Sequence, residues 1–183
     1  MVEDKELTVE RINFVSSIYC LDTKIDCQDA RKFMLSFKDK LIGDQNTTTY
    51  FHTSNILNYP ELNKFKEELL QYFVSFSGKF LNANKITIED SWVQYYTSNQ
   101  FHSTHVHGTV EKNKYSFIFY IQTSEQSAKT VFNGPGYPYI HSDEIKILPK
   151  TNKLVIFDSH LPHYVEFNKD EQRIILSGNF IVE

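Results

Sequence analysis

The sequence predicts a mainly β protein: an antiparallel barrel or sandwich with helices packed on one side. Three observations carry that expectation. From Lys85 onward the chain breaks into seven or eight short runs rich in β-branched and aromatic residues, separated by turn residues. Before Lys85, two segments show apolar residues at helical spacing. No repeat, low-complexity tract or linker divides the 183 residues. They therefore read as a single domain, with a helical support over residues 1–84 and a β core over residues 85–183.

Each element has a local cause. Ile12 to Leu21 alternates Ile and Phe with other residues and reads as a strand. Gln28 to Ile42 reads as a helix because Phe33, Phe37 and Leu41 recur every four residues. Pro60 opens the clearest helix, since its fixed φ and missing N–H are harmless at the first helical position. Leu62, Phe65, Leu69, Phe73, Phe76 and Phe80 form its apolar stripe, with Lys64, Lys66, Glu67 and Glu68 mostly off it. Gly78 and Asn82 to Asn84 mark its end. The strands expected after it are Ile86 to Tyr96, Tyr115 to Gln122, Lys129 to Phe132, Glu144 to Leu148, Leu154 to Phe157, Tyr164 to Phe167 and Arg173 to Val182. Residues 133–136 and 149–152 supply turns.

Composition narrows the function. Phenylalanine and tyrosine, 15 and 11 of them, give ample core material. A chain of this length buries roughly 70% of its unfolded surface without staples. No apolar run approaches the ~20 residues that a membrane span requires. The acidic, polar start Met-Val-Glu-Asp-Lys-Glu is wrong for a signal or transit peptide. Cys20 and Cys27, the only cysteines, are expected to be reduced and buried, which points to the cytoplasm. A net charge of −4 argues against nucleic acid as partner, although a local basic patch stays open. Asn46-Thr47-Thr48 matches a glycosylation sequon and reads as a polar turn.

Chemistry concentrates in the histidines. Residues two apart on a strand face the same way, so His105 and His107 of His-Val-His can grip one ion. His163, in a second apolar stretch, can close a third corner. Three protein ligands on one face leave three positions open, as a non-haem Fe(II) oxygenase requires. Three neutral imidazoles also suit Zn(II), Cu or Ni. Two histidines compete for the site. His102 lies three residues from His105 and would face away on a regular strand. His160 is the rival of His163, which is preferred because it directly precedes the strand Tyr164 to Phe167. His52 and His141 read as ordinary hydrogen-bonded or surface residues.

Arg173 is a second signal, one of only three arginines. It enters the apolar strand Ile174-Ile175-Leu176, and a planar fork is the usual choice for holding a carboxylate inside a protein. The bland alternative is a surface pair with Asp170 or Glu171, worth little. Beside the histidine cluster, an anion site is the stronger expectation.

Several segments together resemble a known family. Trp92-Val-Gln-Tyr-Tyr96 resembles its first core strand, and His105-Val-His107 its His-x-His motif. Ser116-Phe-Ile-Phe-Tyr-Ile121 resembles its Ser-Gly-Val-Tyr-Tyr-Leu strand, and Phe157-Asp-Ser-His-Leu-Pro-His163 its Phe-Pro-Ser-x-Leu-x-His. Arg173 and Asn179 resemble its closing Arg…Asn strand. The chain is thus similar to the 2-oxoglutarate/Fe(II) oxygenase superfamily, of the type common in phages and marine bacteria. It departs at Phe117, often glycine there, at Asp158, often proline, and at Ile175, often serine or threonine. Asn99 and Asn152 stand where related sequences turn on glycine, a mild change because asparagine tolerates left-handed geometry.

The resemblance implies a double-stranded β-helix, the jelly roll of cupin-like proteins, backed by N-terminal helices. It implies a dioxygenase using Fe(II), 2-oxoglutarate and O₂, a hydroxylase of an unidentified small-molecule or peptide substrate. Fe(II) would be held by His105, His107 and His163. The 2-oxoglutarate contacts would be Arg173, Tyr120 and Asn179, with no catalytic residue beyond the metal centre. A bacterial or phage-infected cytoplasm, no membrane and an open oligomeric state complete the expectation. Two alternatives stand beside it: a three-His dioxygenase without 2-oxoglutarate, and a non-catalytic jelly-roll module holding Zn(II) or Ni(II). Specificity is expected from the loop Gln122 to Asp143, with Tyr137 and Tyr139 available for stacking.

Overall fold

The computed structural model describes residues 16–38, 45–53, 55–108, 113–135, 137–139 and 143–183. In chain order these form β1 (Ile18–Asp22), α1 (Gln28–Leu35), β2 (Thr47–Thr48), α2 (Asn63–Phe76), β3 (Ile86–Tyr96), β4 (His102–His105), β5 (Lys114–Gln122), β6 (Thr130–Asn133), β7 (Glu144–Ile147), β8 (Lys153–Asp158), β9 (His163–Val165) and β10 (Arg173–Val182). The strands build two sheets, β1-β8-β5-β10-β3-β2 and β4-β9-β6-β7, and every strand pairing is antiparallel. The two sheets face each other as a jelly roll, as expected.

Strand periodicity sorts the residues of the larger sheet into two cores. One face carries Val93, Tyr95, Phe117, Phe119, Leu154, Ile156, Ile174, Leu176 and Phe180, packed against the helices. The α2 stripe of Phe65, Leu69, Phe73 and Phe76 is buried there, and Phe73 stacks on Phe180 at 4.8 Å. The opposite face carries Tyr96, Ile118, Tyr120, Val155, Phe157 and Ile175, which meet Phe132 and Val165 of the smaller sheet. Arg173, Ser177 and Asn179 share this inner face by their odd spacing along β10. The inside of the jelly roll therefore holds the buried polar residues of β10.

Glycine is required once in the sheet. A Cβ on Gly178 would strike the Asp90 carbonyl and come within 2.7 Å of the Phe117 ring. Gly178 and Phe117 are cross-strand partners, so the bulky residue at 117 is accommodated by the missing side chain opposite. Asn99 and Asn152 do adopt left-handed backbone, at φ 66° and 67°.

Several element boundaries differ from expectation. β1 covers only the end of the expected strand; residues 12–15 of it lie outside the described residues. The first helix stops at Leu35 because the Ser36 hydroxyl donates to the Phe33 carbonyl, 2.7 Å, and a turn follows. Its expected positions Leu41 and Ile42 lie outside the described residues. Phe37 still packs with Phe33 and Tyr59 from that turn. The helix from Pro60 is not continuous: a 3₁₀ turn (Pro60–Leu62) precedes α2 and a π turn (Ser77–Leu81) follows it. The wider π turn rotates Phe80 off the stripe, so it is 52% exposed and only partly covered by Tyr19. Asn82, left-handed at φ 52°, then ends the segment. Cys27 is buried as expected, but Cys20, on edge strand β1 opposite Val155, is exposed. Among the described residues no helix is long and apolar enough to cross a membrane.

Candidate metal centre

Strand pairing assembles the histidines. His105 ends β4 and lies directly opposite His163, the first residue of β9. His107 follows just beyond the strand, held by its N–H to the Ser159 carbonyl at 2.9 Å. The candidate ligand atoms of these three residues all lie within 4.8 Å of one another, close enough for one ion to gather them by small side-chain rotations. Among the described residues this is the cluster with metal-binding spacing, and His163 rather than His160 belongs to it.

Two of the rings are prepared for a metal. His105 Nδ1 is 2.8 Å from the Ser103 carbonyl, and His163 Nδ1 is 2.9 Å from the Leu161 carbonyl. A carbonyl only accepts, so each Nδ1 carries the proton and each Nε2 keeps its lone pair. Burial holds the imidazoles in the neutral form that binds metals. It pushes His163 well below the usual histidine range and lowers His105. His107 falls to about 3, first through burial and then through the charges of His105 and His102. Trp92, Phe132 and Phe157 pack their rings against the cluster, with centroids 5.0, 5.3 and 4.9 Å from His107, His163 and His163 respectively.

His102 reaches the same face by a means the sequence hides. The β4–β9 register shifts between His102 and His105, so three residues along a bulged strand end on one side. The His102 ring stacks on His105 at 3.9 Å. Its Nδ1 lies 3.0 Å from the Gln94 amide nitrogen, which donates to it, while the Gln94 carbonyl accepts from Ser177 at 3.2 Å. Burial, then the charges of His105 and Arg173, lower His102 to about 3. It is a neighbour of the triad and outside it.

Arg173 is buried at 0% exposure on the inner face. Its Nη2 donates to Thr130 Oγ1 at 3.1 Å, and its guanidinium carbon lies 4.6 Å from the Tyr96 ring centre and 5.4 Å from that of Tyr120. Nε and Nη1 have no hydrogen-bond partner. The surface-pair alternative is overturned: Asp170 instead accepts from Ser127 and Ser124, and Glu171 is exposed. Tyr120 is buried beside Arg173 and shares the Thr130 hydroxyl with it, 2.8 Å away. Asn179 stands elsewhere. Its Oδ1 accepts from Ser116 at 2.6 Å and it lines the cavity next to His107. Six positions along β10 from Arg173 amount to about 20 Å, so the two do not share one small carboxylate.

A cavity of about 510 Å³ opens over the histidines. Its far wall is residues 45–52, which the sequence did not mark as functional. Trp92, Gln94, the stretch His102 to His107 and Asn179 form the rest. The loop expected to set specificity contributes none of the described lining residues; Tyr137 and Tyr139 point to solvent. Thr130 and Tyr96, the neighbours of Arg173, were also missed, since a threonine and a tyrosine in a strand look like ordinary β residues.

No family model matches this sequence, and no curated protein matches it. Solved structures do. The viral collagen prolyl hydroxylase vCPH of Paramecium Bursaria Chlorella virus-1, in complex with 2OG, aligns with a TM-score of 0.61 at 16% identity, over 91% of this chain and 96% of that one. A prolyl-4-hydroxylase of Pseudomonas putida gives 0.63 at 12% identity, over 92% and 94%. HygX of Streptomyces hygroscopicus, with nickel and 2-oxoglutarate bound, gives 0.63 at 8% identity, over 91% and 83%. This chain has the fold that these proteins share.

Proposed function

We propose that the protein is a 2-oxoglutarate- and Fe(II)-dependent dioxygenase that hydroxylates a small-molecule or peptide substrate. One observation carries the proposal. Arg173 is a fully buried cation with two nitrogens that have no partner, lined by two tyrosines and a threonine in the interior that also holds the histidine cluster. A buried charge without a counter-ion is costly, and a ligand that supplies the partner offsets that cost. The distal carboxylate of 2-oxoglutarate has the charge and planarity that an arginine fork fits.

The donor set fits the metal. Three neutral imidazoles, two of them held by Nδ1–H bonds to backbone carbonyls, suit Fe(II) and leave positions open on one side. When bound, Fe(II) with 2-oxoglutarate and O₂ supplies the oxidation: the keto acid leaves as succinate and CO₂, and one oxygen atom goes to the substrate. The chain's own part is positioning and exclusion. Arg173, with Tyr120 and Thr130 beside it, would fix the far end of the keto acid. Phe132, Phe157 and Trp92 pack against the rings of His163 and His107 and shield those sides from water. Asn179, beside His107, would steady that ring.

A second reading has one observation in its favour. Among the described residues no carboxylate joins the cluster, and three imidazoles alone fit Zn(II) as well, so a metal-holding module without 2-oxoglutarate is the alternative. It leaves the free donors of Arg173 without a purpose. A succinate assay on protein supplied with Fe(II), 2-oxoglutarate and O₂ separates the two. Slow substrate-independent succinate release that disappears in His163→Ala supports the oxygenase. No succinate above the metal-free control overturns it.

A further inference from the structure

A fourth histidine stands beside the triad, and its ring is held the opposite way round. His105 and His163 each give an Nδ1 proton to a backbone carbonyl. His102 Nδ1 instead accepts from the side-chain amide of Gln94 at 3.0 Å, and Ser177 fixes the sense of that amide by donating to its carbonyl at 3.2 Å. A ring whose Nδ1 accepts carries its proton on Nε2. A doubly protonated ring carries one there too, so this donor is present in either ionisation state. Among the described residues Gln94 is the ring's one hydrogen-bond partner, and the ring lines the cavity over the triad. His102 is therefore unsuited to hold the ion itself and suited to donate to something that the ion holds.

Its place in the interior says what that is. Three inner-face residues of β3, each two apart, mark the way from the metal to the arginine. Trp92 packs on His107, Gln94 holds His102, and Tyr96 lies against Arg173. Successive members of this row are about 7 Å apart, so His102 is held between the triad and the guanidinium. Its ring also stacks on that of His105 at 3.9 Å, which keeps it at the metal end of the interval. In the proposed function one molecule spans the interval: 2-oxoglutarate, chelating the metal at one end and meeting Arg173 at the other. The metal dication takes one oxygen of the near carboxylate, and the oxygen turned away from the ion still needs a donor.

We infer that His102 is a cosubstrate-binding residue whose Nε2–H donates to the metal-end carboxylate of 2-oxoglutarate, and that Gln94 and Ser177 are positioning residues that hold its tautomer. This rests on the proposed function, which brings the keto acid to that interval. The inference gives a purpose to a side-chain chain that is otherwise unexplained. Ser177 and Gln94 are 1% and 5% exposed, and both ends of the Gln94 amide are spent on orienting one ring. Such a partner for the far nitrogen of a histidine fixes which nitrogen faces the ligand.

The test is calorimetric titration of 2-oxoglutarate into the full chain loaded with Zn(II), as parent, His102→Phe, Gln94→Leu and the double variant. His102→Phe keeps a ring to stack on His105 and removes the donor. Metal analysis should find the same Zn(II) content in all four proteins. His102→Phe should bind 2-oxoglutarate at least about tenfold more weakly than the parent, the size of one hydrogen bond to a charged acceptor. Gln94→Leu should weaken binding by a smaller factor, because the released ring populates both tautomers, and should add nothing in the double variant. Unchanged affinity in His102→Phe, further weakening in the double variant, or loss of Zn(II) from His102→Phe each overturn the inference alone. A Zn(II)-loaded parent that binds no 2-oxoglutarate overturns the proposed function, and the inference with it.

Discussion

Replacing Arg173 with methionine removes the buried charge while nearly keeping the side chain's volume, and the structure sets the size of the effect. Two nitrogens without partners cost ~1–3 kcal/mol each, so their removal relieves about 2–6 kcal/mol. Against that stand the charged hydrogen bond to Thr130, about 1.5–3 kcal/mol, and stacking over Tyr96 and Tyr120, about 1–2 kcal/mol each. The opposing sums nearly cancel. Metal-free Arg173→Met should therefore unfold in urea within about 2 kcal/mol of the parent protein. Removing one partner of an already satisfied buried ion pair would cost ~3–5 kcal/mol instead. Ligand makes the two proteins diverge. With Mn(II) bound and 2-oxoglutarate at a hundred times its dissociation constant, the parent should gain about 2.7 kcal/mol beyond what the metal alone provides, and the variant should gain only the metal's contribution. A loss of more than 3 kcal/mol in the metal-free variant, or equal stabilisation of both proteins by 2-oxoglutarate, would refute the reasoning.

The triad predicts that His105→Ala, His107→Ala and His163→Ala each lose bound Fe(II) by metal analysis, while His160→Ala keeps it; unchanged iron in all three would dissolve the triad. Circular dichroism of the same variants should match the parent, because the cluster sits at strand ends. Metal-free protein should lose stability as pH falls below about 6.5, since unfolded histidines take up protons that the buried ones refuse. Folded-state values lie below the unfolded value, so the loss begins near 6.5 and continues toward about 3, the value for His102 and His107, at up to ~1.4 kcal/mol per pH unit for each ring. Urea midpoints at pH 7 and pH 5 check this, and His107→Gln should flatten the slope. Phe73→Ala, at the centre of the core between α2 and the larger sheet, should cost ~3–5 kcal/mol in the same assay without changing metal content.

Much of the site could be read from the chain because strand geometry maps spacing onto direction. His-x-His reports one face of a strand whatever the fold around it, and His163 announced itself by opening an apolar run. Arg173 was legible through rarity, a third arginine among many lysines heading an apolar strand. What escaped reading depends on irregular or distant structure. The bulge that turns His102 toward His105 is set by pairing with β9, not by residues 102–105 alone. β2 has two residues and no period to detect, yet it leads into the wall formed by residues 45–52. The helix from Pro60 follows its stripe until the π turn, which a fixed 3.6-residue period cannot foresee, and Phe80 is lost from the core there. Loop length drew attention to residues 122–143, whereas the wall of the cavity comes from the N-terminal third, brought in by hydrogen bonds to β4.

Calorimetric titration of 2-oxoglutarate tests most directly whether the histidine cluster and Arg173 form one cosubstrate site. Anaerobic protein loaded with Fe(II) should bind one equivalent. The same protein without metal should bind far more weakly, and so should Arg173→Met with iron in place. Absence of binding to the iron-loaded protein, or equal binding with and without metal, would contradict the account.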